Sequence, residues 1–164
     1  MNKNWLGWII SLILVIVASF VNLHYFQVPN IIAIEFARDA STMSERINEN
    51  PDGYLALLFN TIVDYGYILA YTSLILFSIK ITLDGLEAKS ARWFYWLGVL
   101  PGAMDAIENG FLLRTAIWHQ ETISWLYIFV VRIKWGAAIL FYMLVPIVML
   151  YGLIILFRAR QQST

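Results

Sequence analysis

Four long apolar runs separated by short polar stretches constrain this chain of 164 residues more than any other feature. About 20 apolar residues suffice to cross a bilayer. Inside lipid every backbone polar group must bond within its own segment, so such runs mean helices. The runs are Trp5–Val28, Tyr54–Ile81, Trp93–Trp118 and Trp125–Phe157. The last exceeds one bilayer thickness and must tilt, project into water or bend at Pro146. The first resembles a secretory signal after its single Lys3, but it is long enough to span and lacks a small-x-small end. It reads as a retained helix.

Composition agrees with lipid as the solvent. The chain is 60% hydrophobic and 13% charged, roughly half the charge of an ordinary soluble domain. A soluble domain of this size stays too surface-rich to hide so much apolar area. The expected fold is therefore all-α, a polytopic membrane protein. It forms one domain over residues 1–164, a four-transmembrane-helix bundle.

Tryptophans mark the run ends: Trp5, Trp8, Trp93 and Trp96 on one side, Trp118 and Trp125 on the other. Such aromatic belts sit at headgroup level. Lys3, Lys80, Lys89, Arg92, Arg158 and Arg160 fall on the first side, and only Arg38 and Arg46 lie in the opposite long loop. The positive-inside rule then places both termini in the cytoplasm.

The segment from 30 to 50 is too polar to span. Ile32, Phe36, Ala40, Met43 and Ile47 recur at three- and four-residue steps, one face of an amphipathic helix. Asn30 is a candidate cap, and Asn50-Pro51-Asp52-Gly53 is a stop and turn. The expectation is a surface helix on the outer side, covering the bundle as a lid or gating a ligand from the lipid.

A charge inside a span costs at least a few kcal/mol and calls for an explanation. The second run carries Asp64, the third Asp105, Glu108 and Asn109, the fourth Arg132 and Lys134, and the first Asn22. At about 1.5 Å per residue, Asp64, Asp105, Glu108 and Lys134 all lie roughly 14–20 Å below the outer helix ends. At about 100° per residue, Asp64 shares a face with Asn60, Thr61, Tyr67, Tyr71 and Ser78. Gly98, Gly102, Ala106 and Gly110 form a small-residue ridge, which nominates the third run as the central packed helix. Lys134 shares its face with Tyr127, Ala138, Phe141 and Gly152 and is assigned to the interior. Arg132 points the opposite way, and with Arg114 it is expected to snorkel to the interface.

Three carboxyls against one ammonium leave an acid excess that a low-dielectric site cannot hold fully charged. Either protons stay on or a cation is bound. A protonated acid beside a lysine-paired carboxylate is equipment for acid–base chemistry or for proton-coupled transport. The bland alternative is that these groups only join helices. Interhelical polar contacts average about 0.6 kcal/mol, little return for burying so many charges.

Several functions are set aside. The net charge is zero, so nothing points to nucleic acid. The chain has no cysteine, which excludes disulfides, thiolate metal sites and a cysteine nucleophile. His24 and His119 lack metal-ligand spacing and read as interfacial. No phosphate loop, serine elbow, cofactor motif or metal motif is present.

The stretch Pro101-Gly-Ala-Met-Asp105-Ala-Ile-Glu108-Asn109, with Asp64 before it and Lys134 after it, resembles a group of small four-helix bacterial membrane proteins. That resemblance covers the second to fourth runs and implies an architecture and a bacterial inner membrane, without an activity. A looser architectural similarity to the sterol isomerase and sigma-2 receptor group carries no residue over.

The leading expectation is a site for a lipophilic, isoprenoid- or lipid-like molecule, bound and in an enzyme isomerised, cyclised or hydrolysed. Asp105 and Glu108 would be acid and base, Asp64 a second carboxyl and Lys134 the counter-ion. Asn109, Asn60, Tyr67, Tyr71 and Asn22 would complete the ligand site. The alternatives are a proton- or cation-coupled transporter or channel subunit, which four helices would build as a homo-oligomer, and an accessory subunit of a membrane complex. The expected partner is membrane lipid or a lipophilic small molecule.

Overall fold

A computed structural model describes residues 3–25, 31–85, 92–119 and 123–161. These residues are all-helical. In chain order the helices are α1 (Lys3–Tyr25), α2 (Ile31–Glu35), α3 (Ala40–Asn48), α4 (Gly53–Gly85), α5 (Phe94–Trp118) and α6 (Trp125–Gln161). The four long helices fall on the four apolar runs.

Three of them are long and apolar enough to cross a membrane, over Lys3–Val21, Gly53–Asp84 and Trp125–Leu144. The fourth long helix, α5, spans 25 residues, but Asp105, Glu108 and Arg114 interrupt it. The surface supports a membrane protein. On α1 alone, Ile9, Ile10, Ile13, Leu14, Ile16 and Val17 are all exposed. An apolar band this wide is foreign to a soluble monomer.

The hub is α4, not α5 as the glycine ridge implied. It packs against α1, α5 and α6 and touches α3, whereas α5 packs against α4 and α6. The ridge is real for only part of its length. Gly98 and Gly102 are buried against Ile79 and Thr72 of α4, while Gly110 is exposed with open space where a Cβ would stand. A helix turns about 100° per residue, so a strict four-residue ridge drifts off the contact face within three turns. Trp8 also departs from the expected aromatic belt. It is buried, and its Nε1 donates to Ser78 Oγ of α4 at 2.8 Å.

The segment before α4 is two helices rather than one. Helix α2 ends at Glu35, and Asp39 caps α3 by accepting from the Thr42 amide at 2.8 Å. The break shifts the helical register, so the predicted stripe holds only at Met43 and Ile47. Ile32 and Phe36 are exposed, and the buried positions are Ile34, Ala37, Met43 and Ile47. Asn30 lies outside the described residues. The turn at 50–53 forms as expected, with the Asp52 amide donating to Asn50 Oδ1 and Gly53 to the Asn50 carbonyl.

Two apolar clusters bracket the middle of the molecule. Ile34, Met43, Ile47, Leu57, Leu112, Tyr127 and Val131 fasten α2 and α3 onto the ends of α4, α5 and α6. Ile68, Tyr71, Ile75, Ile79 and Phe141 form the second cluster. The polar site lies between them.

Candidate functional site

Lys134 sits at the centre of a buried ionic cluster. Its ammonium lies 2.7 Å from Glu108 Oε2, 2.9 Å from Glu35 Oε2 and 3.2 Å from Asp105 Oδ1. Three buried or half-buried carboxylates on two other helices converge on this group. Tyr71 of α4 donates its hydroxyl to Asp105 Oδ2 at 2.8 Å, and Trp135 of α6 donates Nε1 to Glu35 Oε2 at 3.0 Å. Beside them Asn109 donates to Asp64 Oδ2 at 2.9 Å. Helix periodicity explains the convergence. Asp105, Glu108 and Asn109 are three and four residues apart and so share one face of α5.

Glu35 is the partner that sequence reasoning missed. It was assigned to a surface helix, yet its carboxylate reaches Lys134, nine residues along α6 from Trp125. Helix α2 therefore sends one side chain into the buried cluster while Ile32 stays exposed. Fully buried Ile34 anchors it there.

A cavity of about 190 Å³ opens onto this cluster. Glu35, Asp64, Asp105 and Lys134 supply its charged wall, and Tyr67, Tyr71, Trp135 and Tyr142 its aromatic wall. The hydroxyls of Tyr67 and Tyr142 stand 3.4 Å apart where α4 meets α6. Ile32 and Tyr142 are exposed at the rim. Ala138 forms part of the wall, as the face shared with Lys134 requires.

The nominated residues divide accordingly. Asp64, Asp105, Lys134, Tyr67 and Tyr71 line the cavity. Glu108 does not. It is fully enclosed, its Oε2 lies off the hydrogen-bond line to Lys134 despite the short distance, and Oε1 meets no donor among the described residues. Asn109 stands behind Asp64 as its donor. Asn60 is half-buried one turn from Asp64, outside the lining. The side chain of Asn22 lies outside the described residues. Arg132 and Arg114 are exposed, so the choice of Lys134 as the inward cation agrees with the geometry.

The charge count is now four carboxyls around one ammonium. A buried carboxylate without a counter-charge costs several kcal/mol, so protons or a bound cation must balance the excess. No group of His, Asp and Glu among the described residues has metal-holding geometry. Comparison with family models, curated proteins and solved structures gives no match. The chemistry must therefore be argued from the cavity.

Proposed function

We propose that this chain is a four-span membrane protein whose cavity binds the polar head of a lipophilic molecule and acts on it by proton transfer. One observation carries the reading. The cavity gathers Glu35, Asp64, Asp105 and Lys134 in one wall, with aromatic residues of α4 and α6 and apolar residues of α2 around them. At about 190 Å³ it is smaller than the roughly 300–1,000 Å³ of a drug-sized site. It fits a head group, and the apolar tail stays outside among the exposed residues of the rim.

The roles follow from which atoms are already used. Asp105 is held at both oxygens, by Tyr71 and by Lys134, and serves as the fixed counter-ion. Asp64 has one oxygen engaged by Asn109 and stands on the cavity wall, so it is the group placed to exchange a proton with a ligand. Lys134 neutralises charge that develops near Glu35 and Asp105. The acid excess favours a head that is cationic or donates hydrogen bonds.

Transport is the weaker reading. On the Tyr71 side of the cavity Ile68, Ile75, Ile79 and Phe141 pack into an apolar cluster, which disfavours a polar path through the bundle. An accessory role is weaker still, because Asp105, Glu108 and Lys134 are buried within one copy.

Native mass spectrometry with lipid analysis of the full chain, extracted in mild detergent, tests this. The wild type should retain a lipophilic adduct that Asp64→Asn and Asp105→Asn lose while keeping their helicity. A wild type that carries no enriched lipophile, or variants that retain it unchanged, would end the proposal.

A further inference from the structure

The back of Glu35 forms part of a second cavity, of about 400 Å³ and half polar, between the end of α2 and α6. Its basic groups are Arg38, from the non-helical turn before α3, and Arg132, from α6. Phe36, Ile128 and Val131 supply apolar wall. Neither arginine forms an ion pair among the described residues. The one acid in the wall, Glu35, directs Oε2 at Lys134 and Trp135, so its charge is already engaged elsewhere. The cavity therefore has a net positive lining.

Arg132 lies seven residues along α6 from Trp125, on a helix apolar enough to span. A guanidinium at that depth must reach the interface or meet an anion. Snorkelling alone explains one arginine. It does not explain a second one brought from another segment to the same hollow. Two planar guanidinium forks facing one space match the paired oxygens of a phosphate, which arginine binds bidentately.

We propose that the Arg38–Arg132 cavity is a phosphate-binding site. Its ligand is the phosphate of a lipid head group, with acyl chains against the exposed apolar face formed by Phe36 and Phe129. The site is distinct from the acid cavity and does not depend on what that cavity does. The two share only Glu35 as a wall.

Native mass spectrometry of the full-length protein in detergent, titrated with phosphatidylglycerol, tests the site. Binding should weaken about ten-fold or more in Arg38→Gln/Arg132→Gln, as expected for loss of charge-assisted hydrogen bonds. Arg38→Lys/Arg132→Lys should fall between, since charge remains and the fork is lost. Arg114→Gln removes an exposed arginine outside the cavity and should bind as the wild type does. Equal binding in the double glutamine variant, or equal loss in Arg114→Gln, overturns the proposal. A parallel titration with inorganic phosphate separates the sources: competition at millimolar concentration assigns the site to the free anion, and its absence assigns it to lipid. A footprint on the wild type covers any failure of variants to fold. Phosphatidylglycerol should protect Arg38 and Arg132 from phenylglyoxal and leave Arg114 reactive, and uniform protection would sink the idea.

Discussion

Lys134 shows what a single residue contributes here. It faces Glu35, Asp105 and Glu108 within 3.2 Å, and no other cation enters the cluster among the described residues. Removing one partner of a buried ion pair typically costs about 3–5 kcal/mol, because the other charge is left without compensation. Lys134→Met should therefore lower stability by that order, read as unfolding in detergent. A loss under about 1 kcal/mol would mean that the cluster does not form. Asp39 makes a different, solvent-facing contribution. The Ser41 hydroxyl, then the Thr42 amide, holds its carboxyl below the ordinary 3.8, at about 2. A folded-state value below the unfolded one means stability that is present above about pH 4 and lost as pH falls toward 2. Amide protection in α3 should fall over that range, and Asp39→Asn, which caps without titrating, should flatten the response. The sequence revealed these residues unequally. Asp64, Asp105, Glu108 and Lys134 stood out because charge inside an apolar run is conspicuous. Glu35 lay in a polar connection, where a carboxylate passes for solvated. Its signal was local: Ile31-Ile-Ala-Ile before it and Phe36-Ala37 after it make it a lone acid in an apolar run.

At the scale of the element, the α4–α5 contact depends on where α5 is thin. A Cβ at Gly102 would collide with Thr72 Oγ1, whereas one at Gly110 would meet nothing within 4 Å. Gly102→Ala should cost about 1–3 kcal/mol by overpacking. Gly110→Ala should be neutral or stabilising by up to about 1 kcal/mol, since alanine favours the helix. Thr72→Ala should relieve much of the Gly102→Ala penalty, a coupling that a double-mutant cycle of detergent unfolding measures. Additive effects would show that the two helices do not meet at this point. The four-residue spacing identified the ridge but not its working half, because a spacing alone does not say where two helices diverge. The break within 30–50 is hidden for a related reason. A single apolar stripe passes over it, although Asp39 ahead of Ser41 and Thr42 is a helix start.

On the scale of the whole molecule, long helices were legible because lipid imposes a length and a composition on them. Whether α5 crosses is a separate matter, since Asp105 and Glu108 dilute the very signal that marks a span. The burial of these acids favours the proposed fourth span. Both acids of α5 are buried against Lys134, Tyr71 or neighbouring helices, so their charge is not presented to lipid. The helix ends also alternate. Asn4 of α1 donates to Asp84 at the far end of α4, while Tyr54 at the start of α4 packs against His119, the cap that follows α5, ring centroids 4.2 Å apart. On the proposed four-span reading, α5 pairs lengthwise with α4 and crosses with it. The absence of cysteine makes this testable with single introduced thiols. Ser44→Cys and Glu121→Cys should react with a membrane-impermeant maleimide on intact cells. Asn2→Cys, Glu87→Cys and Gln162→Cys should react only after permeabilisation, as the positive-inside rule demands. The pair at 87 and 121 decides the matter, because α5 lies between them. Labelling of both from one side would leave three spans, and would place the acids of α5 in a helix that never enters the bilayer.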